Sequence, residues 1–248
     1  MVSIIIPAHN YGRYLGECVR SCVEQTVKPY EIIVVDDCST DNTCDVVRDW
    51  IQRVEEPIIR LRRMPRNMGV SAARNYGLME ARGSLVVLLD ADDMLTPNSI
   101  FLRQREFEKN PHLDMVHGYA LKFGGDGSFE WCNKNAKHLR RSPKIKRQYI
   151  HAQCQMYRRD VFDRYGYYAT DLRSKEDKDL LCRLGLDRES PLKPRIKVKY
   201  IDKPVAYYRR HPAAKHKRRI ADKKWKEETD KIFKKHLSEL RREAIHRA

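Results

Sequence analysis

The sequence predicts an α/β fold, a doubly wound and mostly parallel sheet flanked by helices. Apolar runs and helix-spaced stretches alternate four times before residue 90, the rhythm of strand–crossover–strand units. The last of those runs, Leu85-Val86-Val87-Leu88-Leu89, is too short to cross a membrane and suits a strand buried on both faces. Asp90, Asp92 and Asp93 stand at its C-terminal end. Ligands of open α/β sheets bind outside the carboxyl ends of the strands, so these acids mark the expected site. Packed this closely they repel one another and raise each other's pKa unless a cation joins them. A hard divalent ion meets that need, and a nucleotide diphosphate would fill its remaining positions. The plainer alternative is an acidic turn capping a helix that Thr96 and Pro97 start.

In chain order, Val2-Ser3-Ile4-Ile5-Ile6-Pro7 reads as a strand stopped by proline, and Ala8-His9-Asn10-Tyr11-Gly12 as loop. Tyr14, Leu15, Cys18, Val19, Cys22 and Val23 recur at helical spacing and end before Lys28-Pro29. Glu31-Ile32-Ile33-Val34-Val35 is a second strand with Asp36 and Asp37 at its end. Ser39, Thr40 and Asp41 are N-cap candidates for a helix whose inner face is Val46, Val47, Trp50, Ile51 and Val54. A third strand lies near 58–61, and a small-residue helix opens at residues 69–78. After Pro111 the rhythm changes, with a strand over 115–121, a hairpin turn at 124–127 and a short helix near 159–165. Ser174 is placed to cap a helix carrying Glu176, Asp177 and Asp179 in its first turn, where the helix dipole favours anions. Strands near 196–201 and 205–208 lead to His211. Beyond it, Trp225, Ile232, Phe233, Leu237 and Leu240 amid Lys and Arg suggest one or two amphipathic helices.

The 248 residues suffice for one large core without staples. Seven cysteines with no Cys-x-x-Cys pair argue for reduced thiols rather than a disulfide framework or zinc site. With no long apolar run and no leader-like start, the expectation is a soluble, cytoplasmic protein. Its charge is uneven. Residues 1–100 hold 11 Lys/Arg against 14 Asp/Glu, and subtraction from the totals of 50 and 34 leaves 39 against 20 in 101–248, a balance of +19. Residues 134–147 alone carry seven Lys/Arg and no acid, which reads as a mobile or partner-binding loop. A polyanionic partner would therefore meet the C-terminal three-fifths.

Six ordered motifs resemble the family 2 inverting glycosyltransferases of the GT-A fold. They are Ser3-Ile4-Ile5-Ile6-Pro7-Ala8-His9-Asn10, Val34-Val35-Asp36-Asp37-Cys38-Ser39-Thr40-Asp41, Asn67-Met68-Gly69-Val70-Ser71-Ala72-Ala73-Arg74-Asn75, Leu89-Asp90-Ala91-Asp92-Asp93, Glu176-Asp177 and Tyr208-Arg209-Arg210-His211. The resemblance runs from residue 2 to about residue 211. It implies a GT-A domain over 1–212, with a nucleotide-sugar half at 1–100 and an acceptor half at 101–212, followed by a basic helical tail at 213–248. It also implies roles. Pro7, Ala8 and Asn10 would lie under the nucleotide base, Asp37 would accept the base-edge N–H that uracil offers, and Arg74 would meet the phosphates. Asp90 and Ala91 would touch the nucleotide. Asp92, with Asp90 and His211, would hold Mn²⁺ or Mg²⁺. Asp177 would be the catalytic base, with Glu176 and Asp179 as rivals.

A hydroxyl acceptor on a polyanion would account for the basic second half. Two kinds fit: a hydroxymethylated base in DNA, towards which the charge leans, and a phosphate-bearing glycan or lipid carrier at an anionic membrane surface. Trp131, Tyr149, Tyr167 and Tyr168 are stacking candidates for the first. A third possibility, from another class, is a non-catalytic nucleic-acid-binding module on a decayed transferase fold. The intact set of acids argues against it.

Overall fold

A computed structural model of the chain describes residues 1–124, 129–131, 151–172, 174–211 and 223–246. Strand β1 (Val2–Ala8), helix α1 (Gly12–Val23), β2 (Glu31–Asp36), α2 (Thr43–Arg53), β3 (Ile58–Arg63), α3 (Val70–Glu80) and β4 (Leu85–Leu88) form the first half. Next come β5 (Met94–Leu95), α4 (Ser99–Lys109), β6 (Met115–Phe123) and β7 (Phe129–Trp131). A 3-10 turn (Ala152–Cys154) leads to β8 (Gln155–Arg158), α5 (Asp160–Tyr165), α6 (Glu176–Arg183), β9 (Val198–Arg209) and α7 (Lys223–His246). One sheet runs β3-β2-β1-β4-β8-β6-β9-β5, with β7 on β6. Its first four strands are parallel, β8 is antiparallel to β4 and β6, and β9 returns parallel to β6.

Alternate residues of the buried strands feed two cores. Ile5, Ile33, Val35, Val86 and Leu88 meet α3, α5 and α6 on one face. Ile4, Ile6, Ile32, Val34 and Val87 meet α1, α2 and α4 on the other. The order places a topological switch between β1 and β4, because the chain leaves β1 outward through β2 and β3 and then returns to β1's opposite side. Side chains after β1 and β4 therefore face one crevice at the strands' carboxyl ends.

Close approach of α3 to the sheet fixes Gly77. An added Cβ would lie 2.4 Å from Ile5 Cγ2 and 3.2 Å from Val35 Cγ2. Alanine would gain about 1 kcal/mol in helix propensity, but forcing a methyl into this core costs roughly 1–3 kcal/mol. Gly77→Ala is expected to be net destabilising, read as a lower urea midpoint with an unchanged slope.

Several sequence expectations change. The two strands expected near 196–201 and 205–208 are one strand, β9, whose pairing with β6 shifts register around Tyr119 and Pro204. Proline has no N–H for the ladder, and an irregularity there lets the strand continue. Ser174 is not the cap of α6. Lys175 is, in a left-handed conformation (φ 64°) and without a side-chain cap bond. Ile51 is exposed rather than inward on α2, where Val47 is buried. The helix after Thr96-Pro97 begins at Ser99, because Met94 and Leu95 pair with Tyr207 and Ala206 as an edge strand. Residues 125–127 of the expected hairpin turn and the whole 134–147 loop lie outside the described residues. Among the described residues no helix is long and apolar enough to cross a membrane.

Candidate active site

The crevice is built from four chain segments. After β1, Asn10 takes a left-handed conformation (φ 57°) and its Oδ1 accepts the Thr40 N–H at 2.8 Å. Asp37 N–H donates to the Ala8 carbonyl at 2.8 Å. Pro7, paired with Val35, and Ala8, paired with Asp36, thus lie beside the loop that follows β2. Asp37 is buried, and its carboxylate accepts the backbone N–H groups of Met68 and Gly69, both at 2.7 Å. It thereby ties down the entry to α3, one turn before Arg74. The sequence reading had not given Asp37 this structural job, which occupies one lone pair on each oxygen.

Arg74 is the hub. Only 3% of its side chain is exposed, and its terminal nitrogens lie 2.9 Å from Asp177 Oδ1, 2.9 Å from Asp90 Oδ1 and 3.6 Å from Glu176 Oε1. The guanidinium carbon sits 5.2 Å from the centre of the Tyr168 ring. Burial works against its charge, but Asp177 first and then Asp90 outweigh it and hold the pKa well above the usual arginine value. Asn75, next on α3, clamps the Tyr168 backbone from both sides, donating to its carbonyl at 2.8 Å and accepting its N–H at 2.9 Å. A buried cation between carboxylates from β4's end and α6 fixes both acids relative to one helix.

Asp92 forms a second pair, with its Oδ2 2.9 Å from His211 Nε2. Burial first and the Asp90 charge second push the Asp92 carboxyl above its ordinary range, with His211 opposing. Asp93 is raised well above it, by burial and by its two neighbouring acids. Its carboxylate accepts from Gln153 Nε2 at 2.6 Å and from the Arg209 backbone N–H at 2.8 Å. It ties the end of β9 to the loop after β4, and His211, two residues on, reaches Asp92. Tyr14 packs against the His211 ring with centroids 4.6 Å apart. Ala91 is buried.

Of the expected site residues, Arg74, Asp90 and Asp177 meet directly, as do Asp92 and His211. Among the described residues no three His, Cys, Asp or Glu side chains converge on one point as a complete metal cage. Asp179, a rival for the base, instead binds Arg183 Nε and His236 Nδ1, both at 2.9 Å. Tyr168 is buried under Arg74 and has no face for a nucleic-acid base. The Tyr167 hydroxyl is taken by Asp163. Tyr149 and the Trp131 side chain lie outside the described residues. Sequence reasoning missed Tyr168 as Arg74's platform and Gln153 as Asp93's partner, for neither carries a motif.

A parallel sheet with acids gathered at its β1/β4 switch point, continued by a mixed second half, is the architecture of the GT-A glycosyltransferases. The chain belongs to glycosyl transferase family 2, whose family model matches residues 3–166. It is 29% identical over 223 residues to EpsJ of Bacillus subtilis, an uncharacterized glycosyltransferase, covering 86% of this chain and 62% of that protein. It is 36% identical over 128 residues to chondroitin synthase of Pasteurella multocida, covering 52% of this chain and 13% of that one. In fold it is similar to the mannosyltransferase PcManGT of Pyrobaculum calidifontis, solved with GDP-Man and Mn²⁺, with a TM-score of 0.68 at 20% identity over 88% of this chain and 59% of that one. The chain spans less than two thirds of the length of the curated relatives it matches.

Proposed function

We propose that this chain transfers a sugar, with inversion, from a nucleotide diphosphate sugar to a hydroxyl of an anionic glycan or its lipid-linked carrier, with Asp177 as the base. The observation that carries the reading is the meeting of Asp90 and Asp177 on one buried arginine, beside the Asp92–His211 pair. The acceptor oxygen attacks the anomeric carbon and its proton passes to the Asp177 carboxylate. The bond from that carbon to the diphosphate oxygen breaks, and the electron pair leaves with the diphosphate. An alkoxide is inaccessible at neutral pH, so removing the proton as the new bond forms accelerates the step by roughly 10²–10⁴.

Arg74, with both terminal nitrogens engaged, acts in this reading by holding Asp177 and Asp90 in register. Its Nε is buried without a hydrogen-bond partner. The donor set suits a divalent cation. Asp92 lies where burial and Asp90 disfavour uncompensated negative charge, and His211 Nε2, 2.9 Å from Asp92 Oδ2, brings an imidazole nitrogen to the same carboxylate. Asp92 and His211 would hold the ion, and Asp90 faces the same crevice. When bound, Mn²⁺ or Mg²⁺ offsets the charge that develops on the leaving diphosphate, and imidazole ligation favours Mn²⁺. A base-edge N–H such as uracil offers is a donor that the remaining lone pairs of Asp37 suit, consistent with a UDP-sugar. Asp92→Ala is expected to abolish metal-stimulated transfer while leaving thermal unfolding close to wild type, checked by activity across a Mn²⁺ series and by calorimetry.

For the acceptor, similarity to a chondroitin synthase favours a glycan. Several arginines of the second half are engaged within the fold. Arg158 donates to Leu113 and Pro111 carbonyls, Arg164 to Asp114, Arg183 to Asp179 and to the Tyr165 and Tyr167 carbonyls, and Arg209 to the Asp92 carbonyl and Glu17. These four arginines are therefore committed inside the fold. Incubation with Mn²⁺, a panel of nucleotide sugars and candidate acceptors tests the reading through diphosphate release. Stimulation by phosphorylated or lipid-linked glycans supports it. Stimulation by hydroxymethylated DNA alone would replace the glycan with a nucleic acid.

A further inference from the structure

We propose that His236 is a positioning residue for the transfer, a charged imidazole that clamps α7 onto α6 and so sets the helix presenting Asp177. The inference rests on the reading of Asp177 as the base. His236 Nδ1 lies 2.9 Å from Asp179 Oδ1, and Nε2 lies 3.1 Å from Asp171 Oδ2. Ionised carboxylates only accept hydrogen bonds, so both ring nitrogens must carry hydrogens, which only the imidazolium does.

Around this bridge, Lys175 Nζ is 2.6 Å from Asp230, and Lys175 and Lys178 sit 5.0 and 5.1 Å from the Phe233 ring centre. Phe233, Leu237 and Leu240 form a small core with Leu172, Cys182 and Leu192. Helix α6 is thus gripped from two sides. Asp177 and Asp179 are two residues apart, a rotation of about 200° round a helix, so the first reaches Arg74 while the second reaches α7. Any shift of α7 against α6 moves the base relative to Arg74.

The charged groups around His236 are Asp179 and Arg183 from α6, Asp171 from the segment before it, and on α7 itself the Lys235–Glu239 pair. Burial lowers the ring's pKa, but the hydrogen bond with Asp179 and the charges of Asp179 and Asp171 outweigh it, so the pKa is raised above 6.5. A raised folded-state pKa stabilises the clamp fully below the unfolded value and loses that contribution as pH rises through the folded one. Loosening therefore comes on the alkaline side.

The test combines an NMR titration of the His236 ring with pH profiles of kcat and donor KM, in wild type, Asp171→Asn, His236→Ala, His236→Arg and Asp177→Asn. Asp171 is 59% exposed, so its replacement spares the fold. Asp171→Asn is expected to lower the ring's pKa and to move the alkaline limb of kcat by the same amount, leaving donor KM unchanged. His236→Ala is expected to lower kcat roughly tenfold, the loss of a charge-assisted contact, and His236→Arg to restore part of the rate without the limb. A ring pKa that moves while the kcat limb stays fixed, or a wild-type rate in His236→Ala, overturns the clamp's role alone. A wild-type rate in Asp177→Asn overturns the base assignment and the clamp's catalytic role together, while the NMR titration still reports whether the bridge exists.

Discussion

Asp177→Asn is expected to lower kcat by roughly 10²–10⁴ with donor affinity retained. The amide is nearly isosteric with the carboxylate, and its carbonyl oxygen still accepts from Arg74, whose nitrogen lies 2.9 Å from Asp177 Oδ1. The local geometry survives and only the ability to take a proton is lost. Single-turnover transfer and equilibrium binding of a nucleotide sugar separate the two effects. Glu176, 3.6 Å from the same guanidinium, is the carboxylate that would have to take over. A wild-type rate in Asp177→Asn together with loss in Glu176→Gln would move the base by one residue. Asp179 is no substitute, because it faces His236 of α7 and Arg183 rather than Arg74.

Arg74→Met is expected to destabilise the fold by roughly 3–5 kcal/mol, the cost of leaving buried charge unpaired. Asp177 and Glu176 have 7% and 9% of their side chains exposed and account for most of this. Asp90, at 38%, regains water and contributes little. Methionine fills much of the same volume and can pack on Tyr168, so the loss reports charge rather than a cavity. Urea unfolding measures it. Arg74→Lys is expected to fall between, since one ammonium cannot reproduce the two-sided fork that joins Asp90 to Asp177. If Arg74→Met unfolds like wild type, the hub does not hold the site together.

The sequence made the first half legible because each signal there is local. Runs such as Ile4-Ile5-Ile6 and Leu85-Val86-Val87-Leu88 are buried on both faces and read directly as strands. The acids at their ends follow from the rule for switch points. What was hidden depends on distant partners. Nothing near Arg74 announces a residue 103 positions away, and a helix-surface arginine looks the same whether it faces water or a buried acid. The two-residue β5 exists only because β9 comes back beside it. Lys175 rather than Ser174 precedes α6, in a left-handed conformation and with its ammonium on Asp230 of α7, neither of which local capping rules contain. The basic excess of residues 101–248 was visible as charge. Its partial use inside the fold, as by Arg183 on four neighbours, needed coordinates.

The most direct test is a crystal structure with Mn²⁺ and a non-hydrolysable UDP-sugar. It should show the diphosphate beside Asp92 and His211, with the anomeric carbon between it and Asp177, so that the carboxylate faces the side opposite the leaving group. A nucleotide bound away from the β1/β4 crevice, or an anomeric carbon with Asp177 on the same side as the diphosphate, would contradict the account.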